Sequence, residues 1–156
     1  MKYLKKVLVL VVLIGGLFTL TGCGNKNVEG SLEEIMEKIY KDVPEDDLPM
    51  LINTKITEEN VESFLGKKGI EYKEALASEP AMNAIAHSVV LVRAKENANI
   101  EKVKKDIKEN VDPRKWICVE VPKEDVIVEN KGDLIILVMV AEKDTRDAIM
   151  KGFNNL

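Results

Sequence analysis

The chain has 156 residues, of which 46% are hydrophobic and 32% are charged, a balance typical of a globular domain rather than a disordered one. Its formal net charge is −4, but without the first 22 residues and their three lysines, 20 basic residues face 27 acidic ones, which gives −7. This acidity argues against a nucleic-acid partner, since binding through phosphates needs a basic surface.

The N-terminus has the layout of a secretory signal peptide. Three lysines among the first six residues precede an apolar run over residues 7–20, and Thr21 and Gly22 follow it. At ~1.5 Å per residue, this run spans roughly 21 Å as a helix, which is less than the hydrocarbon core of a bilayer. We therefore predict a lipoprotein signal peptide over residues 1–22, with an uncleaved membrane anchor as the alternative.

Cys23 is the predicted lipidation site. The stretch LTGC that ends at Cys23 resembles the lipobox of bacterial lipoproteins, and this resemblance implies cleavage after Gly22 and a diacylglycerol on the Cys23 thiol. Two acyl chains hold a protein stably at a membrane, whereas one binds only marginally. We therefore expect residues 23–30 to form the lipidated cysteine and a flexible tether. The membrane is then one partner, and the chain is extracytoplasmic, anchored to the outer face of the cytoplasmic membrane.

Residues 31–156 are predicted to form a single domain that begins with two helices. Ser31 and Glu34 make a capping box, and an apolar stripe follows them at helical spacing. After a loop rich in proline and acidic residues, Thr57 is the expected cap of a second helix and Gly66 its left-handed end. Both helices precede the first predicted strand.

The rest of the chain alternates between strands and helices. We predict strands over residues 70–78 and 84–94 and in the stretches WICVEV, DVIVE and LIILVMV, and helices at NIEKVKKDIKENV and after Asp144. Twice, a strand is followed by a second strand, a charged turn and a helix, which is the layout of a ββα unit. The predicted fold is therefore α+β: an antiparallel sheet of about four strands built from two ββα-like units, packed by helices, with two N-terminal helices.

Two predicted strands contain unbroken apolar runs, at residues 89–92 and 134–140. A strand with one face in water should alternate between apolar and polar residues, so both faces of these strands should be covered. We expect the helices of the two ββα-like units to cover one face, and the N-terminal helices or a partner to cover the other.

Three side chains are candidates for chemistry. His87 is the only histidine, which rules out a multi-histidine zinc site, and Cys118 is the only cysteine besides Cys23. If the chain is an enzyme, a Cys118–His87 dyad assisted by Arg114 is the candidate site. The structural alternative places Cys118 in a buried strand and gives His87 a hydrogen-bond partner. The sequence lacks the nucleophile elbow, SxxK, GxGxxG and P-loop motifs, so we predict no catalytic residue, metal or cofactor.

The stretch around Cys118 has a local structural explanation. Asp112 can cap a short helical turn with Pro113 at its first position. Trp116, the only tryptophan, would then fill the core where helix meets sheet, and Arg114 can stack on its ring.

Three segments together resemble a known family: YKEALASEPAMNAIAHSVVLVRA, VDPRKWICV and NKGDLIILVM. They are similar to lipoproteins of Gram-positive-type bacteria that carry the domain of unknown function four-three-five-eight, and the resemblance extends over residues 32–140. It implies a membrane-anchored extracytoplasmic domain with no assigned activity and no catalytic residues to transfer.

These observations favour a non-catalytic binding or assembly module at the cell envelope, with a protein, a peptide or another envelope component as the partner. The alternatives are an envelope hydrolase that uses Cys118 and His87, and an accessory subunit of a membrane complex. A binding module should show an apolar groove or an unpaired sheet edge. A hydrolase of this kind should instead bring Cys118 and His87 together in one cleft.

Overall fold

Five strands and four α-helices make up residues 27–156, the part of the chain that a computed structural model describes. The predicted signal peptide and Cys23 lie outside the described residues. The elements are, in order, α1 (Leu32–Tyr40), β1 (Leu51–Lys55), α2 (Val61–Leu65), β2 (Tyr72–Pro80), β3 (His87–Ala94), α3 (Ile100–Asn110), β4 (Ile127–Lys131), β5 (Leu134–Val140) and α4 (Lys143–Asn154). The fold is α+β, as predicted.

The ends of the first two helices follow from local hydrogen bonds. Ser31 Oγ accepts the Glu34 N–H at 3.2 Å, and the Glu34 carboxylate accepts the Ser31 N–H at 3.0 Å, which confirms the capping box. The second helix begins later than predicted. Thr57 and Asn60 close a turn on each other, and α2 starts only after Asn60. Gly66 ends α2 with a φ of 80°, as predicted.

The sheet is antiparallel throughout, in the order β1-β2-β3-β5-β4. Every residue of the central strands β3 and β5 is buried, which confirms that both faces of these strands are covered. The sheet has five strands rather than about four. The sequence of β1, LINTK, did not reveal a strand because it has neither an apolar run nor a regular alternation, and its five residues are exposed or half-buried.

Each face of the sheet is covered by one N-terminal helix and one later helix. One core contains Val61 and Leu65 of α2 with Val103 and Ile107 of α3. The other core contains the apolar side chains of α1 and α4. The expected arrangement, with both later helices on one face, is therefore wrong. Because β3 and β5 are apolar on both faces, each face offers a complete surface for a helix, and α3 and α4 take opposite ones.

The stretch WICVEV is not a strand, contrary to prediction. It forms part of a loop between α3 and β4 in which Cys118 has a left-handed φ of 61°, a conformation that interrupts an extended chain. The loop is fixed instead by Trp116, whose ring is buried in the core of α2 and α3. Arg114 N–H donates to Asp112 Oδ1 at 3.0 Å, so the predicted turn after Asp112 is present.

Candidate functional site

His87 is buried at the start of β3, on the face of the sheet that α1 and α4 cover. Its Nε2 lies 3.0 Å from the hydroxyl of Tyr40, the last residue of α1, and the two rings stack with their centroids 6.0 Å apart. Burial lowers the pKa of His87 to about 4, so the imidazole is neutral at neutral pH. Tyr40 and the surrounding core shield His87 from solvent, and the imidazole therefore has a structural role.

Cys118 is exposed, not buried in a strand as the structural alternative required. Its loop packs through Trp116 on the face of the sheet opposite to His87. No hydrogen bond joins the two side chains, and His87 is only 2% exposed. The structure thus does not bring Cys118 and His87 together in one cleft.

The cation beside the Trp116 ring is Lys115, not Arg114. Lys115 Nζ lies 5.5 Å from the centroid of the Trp116 ring and 5.3 Å from that of Phe64, while Arg114 is exposed. Lys115 also forms an ion pair with the carboxylate of Glu79 on β2. This group therefore anchors the loop to the sheet.

Ser88 completes the contacts of Glu79. Its fully buried hydroxyl donates to Glu79 Oε1 at 2.6 Å, the same oxygen that Lys115 contacts. A nucleophilic serine needs a base that accepts its proton and an open approach for the substrate. Ser88 has an accepting carboxylate in Glu79, but it is fully buried and offers a substrate no approach, so the Ser88–Glu79–Lys115 group is a polar tie between β3, β2 and the loop.

The exposed large apolar side chains come from three separate segments of the described chain. They belong to residues 50–52, 82–85 and 117–119, and we call them the apolar end: Met50 (79% exposed), Ile52 (52%), Met82 (65%), Ile85 (37%), Ile117 (63%) and Val119 (38%). Surface apolar residues are ordinary when scattered, but a contiguous group marks a surface that binds another molecule.

Backbone hydrogen bonds hold the three segments of the apolar end together. The Ala81 N–H donates to the Met50 carbonyl at 3.3 Å, which joins the start of β1 to the β2–β3 turn. The Ile117 N–H donates to the Asn83 carbonyl at 2.8 Å, which joins the loop to the same turn. The exposed side chains therefore stand on adjacent, fixed backbone.

Residues 27–30 are attached at the other end of the sheet. Arg93, near the end of β3, donates to the Val28 carbonyl at 2.8 Å and the Gly30 carbonyl at 2.9 Å. The β2–β3 turn of the apolar end precedes the first residue of β3, His87. Six residues of strand, or roughly 20 Å at ~3.3 Å per residue, separate His87 from Arg93. The apolar end thus faces away from the point where the N-terminal segment enters the domain.

Strand β1 leaves one edge of the sheet unpaired. The Ile56 N–H donates to the Ala75 carbonyl and the Met50 carbonyl accepts from Ala81, so even-numbered residues direct their backbone groups toward β2. The N–H and C=O groups of Leu51 and Asn53 therefore point outward, and no hydrogen bond to them is found among residues 27–156. The Asn60 side chain donates to the Lys55 carbonyl and closes this edge at Lys55.

A cleft of about 410 Å³ lies beside β1, between that strand and α1. Leu51 and Asn53 line one side of it, and Glu37, Lys41 and Glu45 bring charge to its rim.

Within residues 27–156, no group of three or more His, Cys, Asp or Glu side chains is placed to hold a metal ion. The same residues include no helix of the length and apolarity that a bilayer span requires.

No protein-family model, curated protein or solved structure matches this chain. Sequence reasoning had named Cys118, His87 and Arg114, and it missed the apolar end, whose members are scattered along the chain. Three weak signals were available: Met82 lies between two predicted strands, Met50 follows a proline, and Ile117 lies beside Trp116.

Proposed function

We propose that this chain is a membrane-anchored extracytoplasmic lipoprotein whose domain is a non-catalytic binding or assembly module at the cell envelope. The observation that carries the proposal is the apolar end, which together with the open β1 edge is what a binding module should present. Membership of the lipoprotein family that the three segments resemble is part of the same proposal.

The position of the apolar end supports this proposal. If Cys23 carries the lipid, only residues 24–27 separate it from Val28, the first residue that Arg93 holds, and four residues reach roughly 14 Å when extended. The Arg93 end of the domain then lies next to the membrane, and the apolar end faces the partner. An enzymatic role for Cys118 and His87 receives no such support from the geometry.

The anchor is tested by replacing Cys23. We expect the Cys23→Ala chain to leave the membrane fraction or to remain unprocessed, because the diacylglycerol would have no thiol to modify. Cys118→Ser is the matched control and should change neither membrane association nor chain length. Normal processing and membrane association of the Cys23→Ala chain would contradict lipidation.

Binding at the apolar end is tested with the thiol of Cys118, which lies between Ile117 and Val119. A maleimide photocrosslinker on Cys118 of the membrane-bound chain should give adducts of defined size. The same probe on a Lys105→Cys, Cys118→Ser chain should give none, since Lys105 is also exposed but lies on α3 and not at the apolar end. Met82→Asp should reduce the Cys118 adducts. Equal adducts from both probe positions, unaffected by Met82→Asp, would contradict a specific docking surface.

A further inference from the structure

The open edge of β1 is suited to receive another strand. The outward backbone groups of Leu51 and Asn53 are the donors and acceptors that an added antiparallel strand uses, as is the Lys55 N–H, whereas the Lys55 carbonyl already accepts one hydrogen bond from Asn60. The opposite edge, β4, is protected by charge: Glu129 is exposed there, and Lys104 of α3 reaches Asn130 at 3.1 Å and Glu129 at 3.8 Å. Charged side chains on an edge discourage strand addition, and β4 carries two of them, Glu129 and Lys131, whereas β1 carries only Lys55, so β1 is the less protected edge.

We propose that the occupant of this edge is β1 of a second copy of the chain, paired antiparallel about a two-fold axis at Asn53. This inference rests on the proposed function, because a shared membrane anchor raises the local concentration of copies and so compensates for a short contact. In this register Asn53 lies opposite Asn53 of the second copy, and Leu51 lies opposite its Lys55. The residues with outward backbone groups thereby meet one another.

The side chains on one face of β1 fit this register. Ile52 lies on the same face as the buried Ile56 and is half exposed in the single chain. In the paired strands Ile52 lies diagonal to Ile52 of the second copy, a separation of roughly 7–8 Å between Cα atoms that branched side chains can bridge. Self-pairing therefore covers an apolar side chain that the single chain leaves in water.

Charge on the other face also fits. Lys55 is exposed and would lie over Leu51 of the second copy, next to the cleft that Glu37 and Glu45 line. These two carboxylates outnumber the single lysine of the cleft, Lys41, so the cleft attracts the ammonium group of Lys55. The two-fold axis repeats this contact, and each copy gives one lysine and receives one.

The register is tested by thiol cross-linking of the membrane-bound chain in a Cys118→Ser background. Residues directly opposite in a hydrogen-bonded pair have Cα atoms about 5.5 Å apart, so Asn53→Cys should give a dimer with a short bifunctional methanethiosulfonate. Lys55→Cys is the matched control on the same face of β1. In the proposed register, position 55 of one copy lies roughly 13 Å along the strand from position 55 of the other. Lys55→Cys chains by themselves should therefore give no cross-linked dimer. A mixture of Leu51→Cys and Lys55→Cys chains should cross-link.

Three outcomes would overturn self-pairing: equal dimers from Asn53→Cys and Lys55→Cys, no Asn53→Cys dimer, or adducts of Asn53→Cys with a different protein only. Processing and membrane association are measured on the same samples. A processed, membrane-bound chain without the dimer contradicts the pairing alone, whereas an unprocessed chain contradicts the anchor.

Charge reversal gives an independent readout of the same interface. Lys55→Glu and Glu45→Lys should each reduce the yield of the Asn53→Cys dimer by roughly two- to fivefold, the range expected for an ion pair near the surface. A chain with both changes should recover the yield of the Asn53→Cys dimer, because the glutamate at position 55 of each copy then lies near the lysine at position 45 of the other. A double variant no better than the single ones would overturn the proposed contact between Lys55 and the acidic cleft.

Discussion

The hydroxyl of Tyr40 lies 3.0 Å from Nε2 of His87, and this contact joins the last residue of α1 to the first residue of β3. Burial raises the pKa of Tyr40 and lowers the pKa of His87 to about 4, so both groups are neutral at neutral pH. Either imidazole tautomer allows the contact: the phenol donates to a bare Nε2, or the Nε2–H donates to the phenol oxygen. The pair therefore links helix and sheet without a charge on either side chain.

The burial of His87 predicts a loss of stability in mild acid. The unfolded chain binds a proton on His87 below about pH 6.5, whereas the folded chain binds it only near pH 4. Stability thus falls as the pH drops through this window, by up to roughly 3 kcal/mol from this group. Urea unfolding at a series of pH values measures the effect. His87→Gln should lose this part of the acid dependence, and an unchanged dependence in that variant would show that His87 is not its source.

The helices and the central strands were accessible from sequence because local patterns determine them. The capping box at Ser31, the left-handed Gly66 and the apolar run of β5 each depend on neighbouring residues alone. The β1 strand and the loop around Cys118 depend on distant contacts: β1 is specified by pairing with β2, and the loop by the burial of Trp116. A local pattern cannot show either contact.

The candidate site was the least predictable part for the same reason. Cys118, His87 and Arg114 attracted attention because of their residue types, while the apolar end joins segments more than 60 residues apart in sequence, from Met50 to Val119. The pairing of β1 with β2, the burial of Trp116 and the hydrogen bonds from the β2–β3 turn to Met50 and Ile117 bring those segments together.

Gly66 should tolerate no side chain. Its φ is 80°, and a Cβ atom there would lie 2.1 Å from the Asn110 carbonyl oxygen at the end of α3. Gly66→Ala combines left-handed strain with a clash against backbone, so we expect a loss of at least roughly 3 kcal/mol in the free energy of unfolding. Gly69→Ala is the matched control, because Gly69 has a φ of 76° and no atom within 4 Å of that Cβ position. Gly69→Ala should lower the free energy of unfolding, measured by chemical denaturation, by only about 1 kcal/mol. Similar losses in both variants would contradict the close packing of α2 on α3.

Arg93 should control the order of the segment that leads toward Cys23. Its guanidinium donates to the Val28 and Gly30 carbonyls and to Glu74, so Arg93→Met removes three charge-assisted hydrogen bonds but keeps an apolar stem. We expect faster hydrogen exchange in residues 27–30 and a loss of about 1–3 kcal/mol in stability. Arg114→Met is the control, because Arg114 is exposed and belongs to the loop near the opposite end. Unchanged exchange at residues 27–30 in Arg93→Met would show that Arg93 does not hold them.

The Cys118 thiol should react with a thiol reagent in the folded protein, even though Trp116, two positions earlier, is part of the core. Trp116 is 6% exposed whereas Cys118 is exposed, so a thiol reagent should label Cys118 at a rate within about tenfold of the unfolded chain, without a shift in Trp116 fluorescence. A Cys23→Ala background leaves a single thiol to report. Trp116→Ala should instead cost about 3–5 kcal/mol, because it empties a site that the loop and two helices share. Labelling that requires unfolding would restore the buried-strand interpretation of this loop.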